Sequence, residues 1–342
     1  MLHGPSNPVI RSDKDTIGRR SSIAPVRAHG AWAADHGFPA LHPEQAMLRL
    51  ACLWGIYRYA HPHRSVGIAH VWPTAESIWI ATDMIPRLPP LLHDEWRATA
   101  GVLHLDVGTV DVWRVDLDAA ETAALRLRAV LSQAELQRAD ALRDALNQAR
   151  FISAHAALRH ILARYLQVSP ACLVFVTGKH GKPRLAQPHS SSPLHFSMAH
   201  SSNLALFAVA GIELGVDVER MRPMPEMEEA APRLLSQKEI SLLEILVPED
   251  RPVAFHILWA CKEAYAKATG SGLWLDLTHT TILPRLPDDP STWFALSTDS
   301  GSGPMPVHLL APHEGFVAAL VLRGESRPLR LHQFSPAAFD AA

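Results

Sequence analysis

A near-repeat constrains this chain more than any other feature. VDVWR at 110–114 nearly recurs as VDVER at 216–220, and LSQAEL at 131–136 is answered by LSQKEI at 235–240. The offsets are 106 (110 to 216) and 104 (131 to 235); carrying the second forward aligns Phe151 with Phe255, each early in a helix-like run, ARFISAHAALRHILARYL and VAFHILWACKEAYAKAT. Chance produces any one such match, but three in register argue for an internal duplication. Each Ser-Gln-x-Glu also reads as a helix-starting capping box, Ser132 with Glu135 and Ser236 with Glu239, in which side chain and backbone satisfy each other's free groups. Each half then ends in an apolar strand, LALFAVAG and FVAALVLRG. The elements alternate while the strand spacing leaves hairpins open, so each half reads as α+β. The predicted organisation is an N-terminal extension over 1–105, a first half over 106–211 and a second half over 212–331.

At 342 residues, 48% hydrophobic and 19% charged, the chain can bury a substantial core across two or three domains. A formal charge of −2 argues against a protein that coats nucleic acid, so an acidic partner would have to meet a local basic patch. Three cysteines, Cys52, Cys172 and Cys261, with no Cys-x-x-Cys, suggest neither a disulfide framework nor a zinc site, and a reducing compartment fits them. Apolar runs such as AMLRLACLWGIY are broken by arginine well short of the ~20 residues of a membrane span. The N-terminus lacks the apolar stretch of a signal peptide, and Asp13 and Asp15 oppose a transit-peptide reading of its arginines. The expectation is a cytoplasmic protein without membrane or nucleic-acid partners. Residues 1–40 read as an irregular lead. Helical spacing in HPEQAMLRLACLWGIYRYA and a strand-like SIWIATDMI make 41–105 a folded segment, whose His-Pro-His at 61–63 has no metal-ligand spacing.

Candidate chemistry gathers in the second half. Strand alternation sends Asp217 and Glu219 of VDVER to one face, two like charges that need a reason to be adjacent. WACKEAYAK sets Glu263 and Lys267 four apart on one helix face, with Trp259 a turn earlier. Alone, that pair is an ordinary exposed ion pair. Beside Asp217 and Glu219, its carboxylate would complete a set of three able to surround one hard cation such as Mg²⁺. The first half has Trp113 where Glu219 stands and Arg159 where Glu263 stands, so only one copy keeps the acidic set. Arg150, Arg159 and Arg164, with His155 and His160, make the first long helix basic, fit either for solvent or for phosphates. GKHGKPRL at 178–185 reads as a basic turn or a nucleotide contact, and HFSMAHSS offers His200.

Taken in order, VDVW, LSQAEL, ARF…LRHILARYL, GKPRL, HFSMAHS, GVDVE, LSQKE and WACKEAYAKATGSGL resemble the surfactin-type 4′-phosphopantetheinyl transferases over roughly residues 108–325. The most specific part is GVDVE followed by Trp-x-x-Lys-Glu-Ala-x-x-Lys and Gly-x-Gly-Leu. The resemblance implies two similar α+β halves about a pseudo-twofold axis, with coenzyme A and Mg²⁺ between them. It also implies transfer of the phosphopantetheine arm of coenzyme A to a serine of an acyl or peptidyl carrier protein, releasing adenosine 3′,5′-bisphosphate. Asp217, Glu219 and Glu263 would hold the metal. Glu263, or a water on the metal, would take the serine proton, and Lys267 would stabilise charge on the phosphates. His200 would bond the diphosphate, Lys182 and Pro183 would line the adenine site, and Arg138 and Arg150 would meet the 3′-phosphate. The basic first-half helix would also help dock an acidic carrier. A monomer is expected.

Two positions depart from the family pattern. Ala199 stands where the family commonly has the first serine of Ser-His-Ser, a change that removes a hydroxyl expected at the phosphate. Glu135 stands at a commonly basic position, leaving Arg138 as the implied phosphate contact. The competing reading is a non-catalytic coenzyme A or carrier-protein binder that retains the fold; the intact acidic set opposes it, since a binder has little need of three carboxylates.

Overall fold

The computed structural model describes residues 96–99, 101–118, 124–178, 180–272, 276–284, 293–297 and 303–334. The helix, strand and His-Pro-His readings made for residues 1–95 lie outside the described residues, as does Lys179. β1 (Arg97–Ala98) lies in the N-terminal extension, and the first half runs through β2 (Val110–Asp116), α1 (Ala124–Ala129), α2 (Gln133–Asp140) and the long α3 (Ala145–Leu166). It continues with β3 (Phe175–Thr177), β4 (Pro183–Leu185), β5 (His195–Ser201) and β6 (Leu204–Ala210). The second half follows with β7 (Leu214–Arg220), α4 (Met227–Leu234), α5 (Gln237–Ile245) and α6 (Arg251–Thr269). After these come β8 (Thr280–Pro284), β9 (Trp293–Ser297), β10 (Met305–Leu310), β11 (Phe316–Leu322) and β12 (Leu329–Gln333).

Both capping boxes form: the Ser132 and Ser236 hydroxyls accept the backbone N–H of Glu135 and Glu239, whose carboxylates accept the serine N–H in return. The duplication appears in the sheets as well. One sheet has the order β1-β12-β2-β6-β5 and the other β7-β11-β10-β9-β8, so the antiparallel trio β2-β6-β5 is matched by β7-β11-β10. This is the α+β class with two similar halves.

Alternate residues of the strands divide between two kinds of packing. On the outer face of the first sheet, Trp113, Val115, Phe207 and Val209 pack with Ala154, Leu158 and Ile161 of α3. On the outer face of the second, Val307, Val317, Ala319 and Val321 pack with Ile257, Cys261 and Ala264 of α6. The inner faces meet each other: Val110, Val112, Leu206 and Ala208 of the first sheet share one core with Val216, Val218, Ala318 and Leu320 of the second. The central strands β6 and β11 are therefore buried along all seven residues, which explains their unbroken apolar sequences LALFAVA and FVAALVL.

Each capping-box glutamate also ends in a buried ion pair. Arg159 of α3 bonds Glu135 Oε2 at 2.6 Å and the carbonyls of Pro170 and Leu173. Lys262 of α6 bonds Glu239 at 2.7 Å and the carbonyls of Leu277 and Thr280. In both halves a helix-borne cation thus pins the cap of the preceding helix to the chain that leaves the long helix. This corrects the pairing drawn from the offset: in role, Arg159 corresponds to Lys262, not to Glu263. The last strand also departs from the expected plan of halves ending at β6 and β11. β12 crosses back to the first sheet and pairs in parallel with β2 and β1. LRLHQ has no apolar run to signal a strand, because it is stabilised by charged side chains that meet Asp111.

Candidate active site

β7 presents Gly215, Asp217 and Glu219 to α6. A Cβ on Gly215 would stand 2.0 Å from the carbonyl oxygen of Ala264 and 2.4 Å from the amide nitrogen of Ala268, so the helix backbone lies directly on this residue. That approach brings the turn carrying Glu263 and Lys267 over the strand carboxylates. Asp217 is 5% exposed, and Lys267 Nζ donates to its Oδ1 at 2.7 Å. Its Oδ2 is buried and has no hydrogen-bond partner. The carboxyl is pushed up to about 7, first by burial and then by the charges of Glu219 and Glu263, with Lys267 opposing both. Glu219 is held at both oxygens: Trp259 Nε1 donates to Oε1 at 3.1 Å, and Ser201 Oγ donates to Oε2 at 3.1 Å. Among the described residues no three His, Cys, Asp or Glu side chains converge on one point as metal ligands. The cation that Asp217 meets is the ammonium of Lys267, while Trp259 and Ser201 engage Glu219.

The first-half copy of this position contains a different network. Asp111 aligns with Asp217, and Arg330 bonds it bidentately at 2.7 and 2.9 Å, His332 at 2.8 Å and Tyr165 at 2.7 Å. Burial alone would raise its carboxyl, but the bonds from His332, Arg330 and Tyr165 outweigh burial and hold it below the usual range. Trp113, in the place of Glu219, stacks on His332 with centroids 4.3 Å apart and donates to the Tyr165 hydroxyl. Here the acidic pair has become an ion network that ties β12 to β2.

His200 is exposed near the end of β5, and its charge is one of those felt by His155 on α3. His155 stacks on Phe151 at 3.8 Å, and the Arg138 guanidinium lies 5.6 Å from the centre of the Phe151 ring. Burial lowers His155 to about 4 and keeps it neutral at pH 7. The charges of Arg138 and His200 both act on His155. Arg150 is bound to both oxygens of Asp118, at 2.7 and 2.8 Å. Lys182 Nζ donates to Glu213 Oε2 at 2.7 Å and to the Leu214 carbonyl at 2.9 Å, and Pro183 opens β4 beside it. The turn before Lys182 reaches the end of α6, where a Cβ on Gly272 would meet the His180 carbonyl at 3.0 Å. The sequence does not single out Glu213, which also pairs with Arg184 and His195.

Two sequence expectations change. The first long helix is much less basic at its surface than its composition: Arg159 is 1% exposed, His160 6%, and Arg164 bonds the carbonyls of Thr99 and Gly101. Spacing counts the charges on a helix but does not show that a buried glutamate claims one of them. Ala199 is buried on β5 between Ser197 and Ser201, with Val110, Leu206 and Val218 in the core between the sheets, so the side chain at this position faces the seam with β7 and not solvent.

The residues matched by a family model for the 4′-phosphopantetheinyl transferase superfamily are 213–305, a span that includes Asp217, Glu219, Glu263 and Lys267. The 4′-phosphopantetheinyl transferase HetI of Nostoc sp. is 33% identical over 239 residues, covering 68% of this chain and 96% of that relative. The 4′-phosphopantetheinyl transferase Sfp of Bacillus subtilis is 28% identical over 125 residues, 36% of this chain and 54% of the relative. Among solved structures, a holo-(acyl-carrier-protein) synthase from Bacillus anthracis in complex with CoA aligns with 32% of this chain and 94% of its own, at 22% identity; its TM-score of 0.27 is too low to bear on the fold. The chain belongs to the 4′-phosphopantetheinyl transferase superfamily. It is an enzyme of that class.

Proposed function

We propose that the chain, a surfactin-type member of this superfamily, transfers the 4′-phosphopantetheine arm of coenzyme A to a serine hydroxyl of an acyl or peptidyl carrier protein. The serine oxygen forms a bond to the phosphorus that carries the pantetheine arm. The bond from that phosphorus to the bridging oxygen breaks, and adenosine 3′,5′-bisphosphate leaves. The observation that carries the reading is Asp217: a buried carboxyl with one oxygen lacking any partner, raised first by burial and then by the neighbouring charges of Glu219 and Glu263. Lys267 already meets its Oδ1, and a further cation beside Oδ2 would favour the charged form.

Asp217, Glu219 and Glu263 match Mg²⁺ in donor chemistry, with hard oxygens and the orphaned Oδ2 of Asp217, and would hold it by turning toward one point from their present partners Lys267, Trp259 and Ser201. When bound, Mg²⁺ would neutralise charge on the diphosphate. The chain's own groups would do the rest. Glu263 would accept the proton of the carrier serine. Lys267, partly exposed beside Asp217, would meet charge developing on the phosphate oxygens. His200 would bond the diphosphate, Arg138 and Arg150 the 3′-phosphate, and Lys182 with Pro183 would border the adenine. Arg150 would have to share Asp118 or leave it, and Lys182 would act mainly by fixing its turn, since Glu213 and the Leu214 carbonyl occupy its amine. The two halves, 106–211 and 212–331, would act as domains of a cytoplasmic monomer, with 1–105 as an extension.

The test is to incubate the protein with apo-carrier proteins, coenzyme A and Mg²⁺ and to weigh the carriers by mass spectrometry. A gain of one phosphopantetheine is expected, and Glu263→Gln should abolish it without loss of the folded circular dichroism spectrum. No gain on any of several carriers would favour the non-catalytic binder.

A further inference from the structure

β5 and β7 are the facing edges of two different sheets, and they are joined without a β-ladder. Two serines of β5, four residues apart, accept backbone N–H groups of β7 that are also four residues apart. Ser197 Oγ accepts from Val216 at 3.1 Å, and Ser201 Oγ accepts from Arg220 at 3.2 Å. The two differ in their hydroxyl hydrogens. A carboxylate only accepts, so the 3.1 Å contact of Ser201 with Glu219 Oε2 fixes the direction of the Ser201 O–H. One hydroxyl therefore ties the seam and orients a site carboxylate at once. Glu219 is in turn gripped from both halves, by Ser201 of the first and Trp259 of the second.

We propose that Ser201 is a positioning residue that sets the Glu219 carboxylate and couples its aim to the register of the seam. The inference rests on the reading of Glu219 as a cation ligand, in which an outer hydrogen-bond donor fixes the orientation of the ligating group. Ser197 serves as an internal control, because it makes the same kind of seam bond and no carboxylate bond.

The experiment compares Ser201→Ala, Ser197→Ala and Ser201→Thr in the full chain. Mn²⁺ binding is followed by electron paramagnetic resonance without coenzyme A, and the Trp259 indole N–H by ¹H–¹⁵N NMR without any divalent ion, assigned through Trp259→Phe. Thermal melts check that each variant is folded. Ser201→Ala should weaken Mn²⁺ binding about tenfold, in the range of outer-donor changes, and shift the indole resonance; Ser197→Ala should do neither, and Ser201→Thr should restore both. Equal effects of the two alanine variants, or no effect of Ser201→Ala, would overturn the proposal. If the unsubstituted chain binds no Mn²⁺, the cation reading fails and the indole decides alone. A shift in Ser201→Ala only would sustain the positioning role, and no shift would end it.

Discussion

Asp217 is where side-chain chemistry and stability oppose each other most clearly. An unfolded aspartate titrates near ~3.9, whereas in the fold burial and two like charges push this one up to about 7. Over that window the folded state holds the proton and the unfolded state does not. The stabilisation is complete below the unfolded value and is lost as pH rises through the folded one. Asp217→Asn, which stays neutral, removes that loss. Measured without divalent cations, its melting temperature relative to the unsubstituted chain should rise between pH 5 and pH 8; a constant difference would show that Asp217 does not carry the raised value. At this scale the sequence was informative about which residues matter and silent about their partners. Strand alternation set Asp217 and Glu219 on one face, and helix spacing paired Glu263 with Lys267. That Lys267 bonds Asp217, fifty residues away, follows only from the crossing of α6 over β7.

The crossing depends on Gly215. With no side chain there, α6 lies against the strand backbone, and every added atom has to push the helix away. Gly215→Ala should therefore cost about 1–3 kcal/mol or more in denaturant unfolding. It should also lower transfer activity strongly, because Glu263 and Lys267 ride on the displaced turn. An unchanged activity would mean that the helix position is not what assembles the site. The elements themselves were largely legible. Capping boxes announced α2 and α5, and seven-residue apolar runs announced β6 and β11. The pairing of Arg159 with Glu263 was misread because an offset aligns chain positions, while roles depend on which side of the helix faces the buried glutamate. In α6 that side holds Lys262 instead.

At the scale of the whole molecule, β12 returns from the second half to complete the first sheet, so the first half does not close alone. Arg330 and His332 clamp Asp111, and their bonds keep its carboxyl low. The stability this supplies is present above the ordinary aspartate range and is lost as pH falls through the depressed folded value. Arg330→Ala should lower the unfolding free energy by about 1–3 kcal/mol, the loss of hydrogen bonds to a charged group. It should also make the acid limb of the stability curve shallower, read by melts between pH 3 and pH 7. An unaltered acid limb would show that β12 is not held through Asp111.

Duplication, fold class, the capping-box starts of α2 and α5 and the shared strand position of Asp217 and Glu219 were all legible in the sequence alone, because each rests on periodicity or spacing within one element or on a repeat between elements. The tertiary structure alone decided that Arg159 is buried, that Glu213 holds Lys182, that β12 joins β2, and that Ser201 orients Glu219 across the seam. Those contacts join residues 11 to 221 positions apart, and local patterning carries no information about which distant groups packing will bring within a hydrogen bond of one another.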